Sequence, residues 1–586
     1  MAIDTPTELI DESKYLDGTY APRRMNSFPR DDADWARIDA AKGTIDSVTL
    51  DVLEWALEAA ISECEAAVER TAVSTIIREQ HDYRASLSTL DCNSITRVSW
   101  CATPDPIRMY YPLDEIRPGD VFLYNDIHES SGTIGHLPDF CVVIPIFADG
   151  RIVAFSQIFG HCNDVGGTAE GSVVLSATSV FQEGLQCPPI KFFDRGARND
   201  EAWKIILRNS RYPDDLRGDI DAFVGGARII QRRVEELCAR YGADVMEGAF
   251  YRIIERCQEI VRDVALPQIP DGEFVGEDFL ENDGIDLETP VKLQVLIRKD
   301  AEKLIVDFAG TDPQTQGPVN WAMDGRHYAK WLGGFVGAQV PGMIVNEGMT
   351  DVVKCYVPRG TVLSAEYPAA GGDRTDCMLR MIGAYSVAMT KATRGQMIGD
   401  SCCITLYGFF GKDHEGEDFL CREIFGAGSG ARPFADGTDA VDLVPQSKNL
   451  PAEFIEQRFP VIVHKVALFQ DSGGPGAFRG GLGYLKDVEI LVDGHFLTFC
   501  YRTVFSCFGV NGGQAGRSGG STVNPGTPEE RHVIYKRQAV PVKAGDVVRI
   551  VTPGGGGWGD PLARVTGMVR DDVVKGLVSP EKARAD

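Results

Sequence analysis

Two short segments carry the residue types that hold a divalent cation: His136-Leu137-Pro138-Asp139 and His161-Cys162-Asn163-Asp164-Val165-Gly166-Gly167. Each lies in a turn beside an apolar run, where loops on a rigid scaffold bring ligands together. Two imidazoles and a carboxylate from His136, Asp139 and His161 leave open positions on the ion for water or substrate, the arrangement of a catalytic manganese, zinc or iron site. The same spacing also fits hydrogen-bonded core histidines, and spacing alone does not choose between the two. Cys162 reads either as a thiolate activated by a neighbouring cation or as a passive thiol. Asp126 follows a strand, where Asn125-Asp126 either caps the turn or adds a ligand. Asp164 is a candidate catalytic acid, ligand or orienting group for a ligating histidine. Arg78-Glu79-x-x-Asp82 ends the first helical pattern and reads either as a catalytic clamp formed by Arg78, Glu79 and Asp82 or as a solvated charge cluster.

The elements around these residues follow from periodicity. From Asp46, apolar residues at Val52/Leu53, Ala56/Leu57, Ala60/Ile61, Cys64 and Ala67/Val68 recur at helical steps. Between Asp82 and Phe159 the period falls towards two, with strands at Val121 to Tyr124, Cys141 to Phe147 and Ile152 to Phe159, the last two joined by an Ala148-Asp149-Gly150 turn. A helical region from Glu201 to Leu266 is expected to break at Gly225-Gly226 and at Gly242, and to end at Pro267. Val291 to Phe308 reads as a hairpin, His327 to Gln339 and Asp376 to Lys391 as helices, and the chain beyond Asp400 as strand- and glycine-rich. The expected fold is mixed α/β (α+β): an arm over 1–43, draped on a partner, a helix-plus-sheet domain with the metal site over 44–270, a mixed α/β region over 271–400 and a Gly-rich β domain over 401–586. The glycine clusters from Gly473 to Gly483 and from Pro553 to Pro561 read as tight turns or as anion-binding nests.

Composition limits the function. The 586 residues suit about three or four domains. A net charge of −26, spread along the chain, repels nucleic acid and anionic membranes. No apolar run approaches the ~20 residues of a bilayer span. The 15 cysteines include no C-x-x-C pair, which points to reduced thiols and a cytoplasmic protein. There is neither a P-loop nor a G-x-G-x-x-G after a strand, so ATP chemistry would need another chain.

Taken in order, Ile77-Arg78-Glu79 to Asp82, Pro118-Gly119-Asp120-Val121, Asn125-Asp126, His136-Leu137-Pro138-Asp139, His161 to Gly167, Phe181-Gln182-Glu183-Gly184-Leu185, Asp307-Phe308-Ala309-Gly310-Thr311, Asn346-Glu347-Gly348, Asp471-Ser472-Gly473-Gly474 and Thr552 to Pro561 resemble the hydantoinase B / oxoprolinase family from about Asp46 to Pro561. The resemblance implies a subunit beside a hydantoinase A-type ATPase that binds ATP-Mg. It implies a metal ion on His136, Asp139 and His161, no biotin, and a small-molecule ketone or cyclic amide substrate. His161-Cys162, where hydrolase-type members usually carry two histidines, and the run through Gly167-Thr168 and Gly171-Ser172 are more similar to the ketone carboxylase branch of acetone and acetophenone carboxylases, in which a small zinc-binding third subunit is expected. An ATP-dependent cyclic amidase is the alternative, and a non-catalytic scaffold for the ATPase a third reading.

Overall fold

The computed structural model describes residues 31–97, 103–337, 340–442 and 448–585. The stretch read as an arm lies outside the described residues up to 30. Its last part forms α1 (Asp32–Lys42), capped by Asp31 and burying Ile38 and Ala41. Helix α2 (Ser47–Thr71) starts where the Asp46 carboxylate accepts from the Val48 and Thr49 N–H groups, satisfying donors that a helix start leaves open. Its buried stripe, Leu50, Leu53, Leu57, Ile61, Cys64 and Val68, faces the first core.

That core is closed by an antiparallel sheet of β1 (Tyr83–Thr89), β2 (Val121–Tyr124), β3 (Asp139–Ala148), β4 (Arg151–His161), β5 (Ile190–Asp194) and β6 (Ala197–Arg198), in the order β1-β4-β3-β2-β5-β6. The β3–β4 hairpin is the element that builds the site. Its two-residue turn has Asp149 at φ 49° and Gly150 at φ 75°, the left-handed pair that an Asp-Gly turn supplies and that matches strand twist. From that turn the register runs, with one irregularity between Ile146 and Phe147, to Asp139 opposite His161. A slip of one residue would turn one of the two to the other face.

Helix α3 (Pro213–Tyr241) packs α2 onto the sheet and runs unbroken through Gly225-Gly226, contrary to the expected break there; the expected break at Gly242 is present, at φ 91°. The reason is close packing. A Cβ on Gly226 would lie 2.7 Å from Val68 Cγ2 and 3.0 Å from Cys64 Sγ, whereas one on Gly225 meets nothing within 4 Å. The pair therefore separates two effects that share one sequence signature. Gly225→Ala should raise stability by about 0.8–1 kcal/mol through helix propensity, and Gly226→Ala should lower it by roughly 1–3 kcal/mol through overpacking. Denaturant midpoints would check both, and equal shifts would refute the packing argument. Helix α4 (Ala243–Ile260) follows and carries α1 through ion pairs of Arg37 with Glu247 and Lys42 with Glu255.

The second core lies between a sheet of β7 (Gly272–Leu280), β8 (Val291–Lys299), β9 (Leu304–Asp307) and β10 (Val353–Tyr356) and the helices α5 (Gly325–Gly337) and α6 (Arg374–Ala392). β8 and β9 form the hairpin expected over 291–308, with the Asp300 carboxylate capping its turn. The third core lies between two antiparallel sheets. One contains β11 (Thr405–Lys412), β12 (Asp418–Phe425), β15 (Gly494–Phe499) and β18 (Arg537–Val542). The other contains β13 (Val461–Leu468), β14 (Tyr484–Ile490), β16 (Gly520–Val523), β17 (Arg531–Val533) and β19 (Val547–Val551).

The glycine clusters differ from their reading as turns or nests. Gly474 N–H donates to Gly555 O, Gly555 N–H to Gly481 O and Gly481 N–H to Ser429 O, at 2.8–3.0 Å. A Cβ on Gly480 would fall 1.9 Å from Gly555 O, and one on Gly557 2.1 Å from Pro475 O. The segments pack backbone against backbone, and this close approach rather than turn geometry requires glycine. Among the described residues no helix is long and apolar enough to cross a membrane.

Candidate metal centre

His136, Asp139 and His161 meet in the structure and form a group able to hold a metal ion. His136 Nε2 lies 3.0 Å from Asp139 Oδ1, His161 Nδ1 lies 3.0 Å from the same oxygen, and the two nitrogens are 2.9 Å apart. All three residues are buried. Local backbone places them: Asp139 N–H donates to His136 O, Cys162 N–H to Pro138 O and His161 N–H to Asp82 O. The Asn125 amide donates to Leu137 O at 2.7 Å and pins the first turn.

The donor chemistry fits a divalent cation. Two imidazole nitrogens at this separation cannot both carry a proton on the line between them. His136 Nδ1–H donates to Gly372 O at 3.2 Å, which leaves the Nε2 lone pair directed inwards, as an outer partner does for a ligating histidine. Burial, together with the Arg422 guanidinium beside it, pushes His161 down to about 3, so it is neutral. Burial alone would raise the Asp139 carboxyl, but the two imidazoles outweigh it and hold it well below the usual range. Imidazole nitrogens with an ionised carboxylate are what zinc, manganese or iron takes.

Asp82 stands beside this set. Burial and the charge of Asp139 push its carboxyl up to about 6. It is only partly buried, and its carboxylate makes no hydrogen bond or ion pair with any described residue. Asp164 is engaged elsewhere: its carboxylate accepts from Gly166 N, Gly171 N, Arg211 N and Arg211 Nη1, and so shapes the loop after β4. Arg78 is exposed and pairs with Glu79 at 3.4 Å; neither bonds to the ligand cluster. Asp126 accepts from His128 N and Glu129 N as a turn cap. The Cys162 thiol sits in the first core, where burial raises it well above the usual range.

Several participants come from far along the chain. Arg374 Nη2 lies 3.3 Å from Asp139 Oδ2, and Arg422 Nη2 lies 3.0 Å from His161 Nε2. Glu183, buried and pushed up to about 8 by that burial, accepts from the Gly371 and Gly372 N–H groups and so holds the carbonyl that orients His136. The buried Gln80 amide bonds Arg422 O and Ile424 N, clamping β12 to the first domain. The charged pair Arg422-Glu423, interrupting the apolar residues that follow Asp418 in β12, was the available signal for this side of the site. A separate cavity of about 390 Å³ at the glycine layer, lined by Arg479, Arg517 and Arg564, shares no residue with the cluster.

Residues 46–561 match the hydantoinase B/oxoprolinase family model. Caprolactamase subunit beta of Pseudomonas jessenii is 28% identical over 579 residues, covering 93% of this chain and 96% of that protein. 5-oxoprolinase 1 of Arabidopsis thaliana is 26% identical over 560 residues, and the match covers 90% of this chain and 43% of that protein. The crystal structure of the ATP-dependent caprolactamase from Pseudomonas jessenii superposes with a TM-score of 0.80 at 26% identity, covering 92% of this chain and 96% of that one. Nucleotide-free acetone carboxylase also reaches a TM-score of 0.80, at 17% identity and covering 92% and 79%, a likeness of fold. With the match spanning most of its length, this chain belongs to the hydantoinase B/oxoprolinase family.

Proposed function

We propose that this chain is the metal-bearing subunit of an ATP-dependent cyclic-amide hydrolase, working beside an ATP-hydrolysing partner. The observation that carries the reading is Asp82, a carboxylate with no hydrogen bond or ion pair to a described residue, raised to about 6 beside the His136–Asp139–His161 set. A divalent ion on those three residues would supply an electrophile. Asp82 is poised as the base that takes a proton from water attacking the amide carbon, since a base titrating near neutrality is effective at cellular pH. A lactam carbonyl is resonance-stabilised, which is why phosphorylation by the partner is invoked. Likeness to caprolactamase subunit beta along nearly the whole chain supports the same class.

The carboxylase reading rests on the His161-Cys162 run. The Cys162 side chain, the departure that marks that run, is packed in the first core. We therefore place ketone carboxylation second. The deciding experiment co-purifies the chain with its ATPase partner and follows ATP-dependent turnover. Lactams and hydantoins without bicarbonate should be opened, and ketones with bicarbonate should not be carboxylated; the reverse pattern would overturn the assignment.

A further inference from the structure

The search for groups that the proposed reaction leaves unused leads to the arginines. Five arginines are buried: Arg374, Arg380, Arg422, Arg479 and Arg502. Four have a carboxylate within 4 Å: Arg374 has Asp139, Arg380 has Asp278, Arg479 has Asp439, and Arg502 has Asp400. Arg422, 5% exposed, has none among the described residues. Its guanidinium is spent on neutral acceptors, Gly171 O at 3.1 Å and His161 Nε2 at 3.0 Å, and its Nε is buried without a partner. Arg374, 8% exposed, also keeps a buried Nε without a partner, and lies over the Trp321 ring. Arg374 has Asp139 at 3.3 Å, and Arg422 feels Asp82 and Asp139 only from beyond ion-pair distance, yet each keeps a buried Nε–H unsatisfied; an unmade buried donor is costly, and an anionic ligand would satisfy it.

We propose that Arg422 and Arg374 form a clamp for a phosphoryl oxyanion carried by the activated substrate, on either side of the His136–Asp139–His161 cluster. The proposal rests on reading that cluster as the reaction centre. Two further arguments support it. In the hydrogen-bond network described above, His161 Nε2 accepts from Arg422, so the imidazole proton lies on Nδ1. A cation held by His161 through Nδ1 would leave the imidazole proton on Nε2, facing Arg422 donor to donor, and Arg422 would need another acceptor. The charges agree: two guanidiniums and a divalent cation against Asp82 and Asp139 leave an excess of two positive charges, which a phosphoryl dianion neutralises and a carboxylate only halves. Arginine presents its donors in the fork that such oxyanions accept.

The test uses the full-length chain loaded with Mn(II) and needs no turnover. Titration calorimetry with inorganic phosphate should show binding that weakens at least ~10-fold in Arg422→Gln and in Arg374→Gln. Acetate, the carboxylate arm, should bind the parent at least ~10-fold more weakly than phosphate. Phosphate affinity unchanged in both variants would overturn the clamp, and acetate binding as tightly as phosphate would overturn its phosphoryl assignment. If a variant fails to fold, the parent still decides the matter: the ³¹P relaxation of phosphate should be strongly enhanced by the bound Mn(II), and no enhancement would sink the proposal. The two readings fail separately. Loss of phosphate binding in the variants with no amide opening by the complex refutes the hydrolase reading alone, whereas amide opening with unchanged phosphate affinity refutes the clamp alone.

Discussion

Alanine at His136 or at His161 is expected to strip the divalent ion from the protein. Loss of an outer partner of a ligating histidine already costs 10–100-fold in metal affinity, so losing the imidazole itself should cost at least ~100-fold. The fold should persist because each variant leaves Asp139 with one imidazole and with Arg374. Elemental analysis reads the occupancy. Thermal melts give an independent measure, since a ligand at 100 times its dissociation constant stabilises the folded chain by about 2.7 kcal/mol. The parent should melt higher with added Mn(II) or Zn(II), and the variants should not. Undiminished occupancy in both would place the site elsewhere.

Asp82→Asn is expected to behave differently, keeping the metal and losing the reaction. The amide is nearly isosteric but accepts no proton, and removing a positioned base costs about 10²–10⁴-fold in turnover. The pH profile carries the sign. Asp82 works as the carboxylate, so turnover by the assembled complex should fall on acidification, with the limb below the value of about 6 that burial and Asp139 set, because a bound cation favours the charged form. In Asp82→Asn the limb should vanish along with the activity, while metal content stays at the parental level. A variant that retains both the rate and the limb would remove Asp82 from the mechanism.

What the sequence made legible was local. Asp149-Gly150 between alternating apolar runs specifies a hairpin, and that hairpin sets Asp139 against His161. The helix cap at Asp46 and the 291–308 hairpin were readable for the same reason. Gly225-Gly226 misled because glycine is a weak helix former and also the residue that lets two helices touch, and only the neighbour, Val68, tells these apart. Gly372 and Arg374 carried no local sign of their role, and Arg422 only the charged pair it makes with Glu423 within a strand. Their partners lie 236, 235 and 261 residues away, and no periodicity reports a contact across that distance.

The same separations order events during synthesis. The three cluster residues emerge within 25 positions of each other, on a hairpin and the turn that leads into it, whose supporting helices are complete by Ile260. Gly372 follows His136 by 236 residues and Arg422 follows His161 by 261. At ribosomal rates of about 5–20 residues per second, the last of these arrives roughly 13–50 s after His161. Through that interval the nascent hairpin presents its imidazoles and carboxylate without the carbonyl that orients His136 or the arginine that occupies His161. Cation capture can then precede closure of the site, and the choice of metal would reflect which ions surround the ribosome as well as which ion the finished site prefers. Ribosome-stalled chains ending before residue 370 offer the check: they should take up Mn(II) or Zn(II), and stalled chains carrying His161→Ala should not.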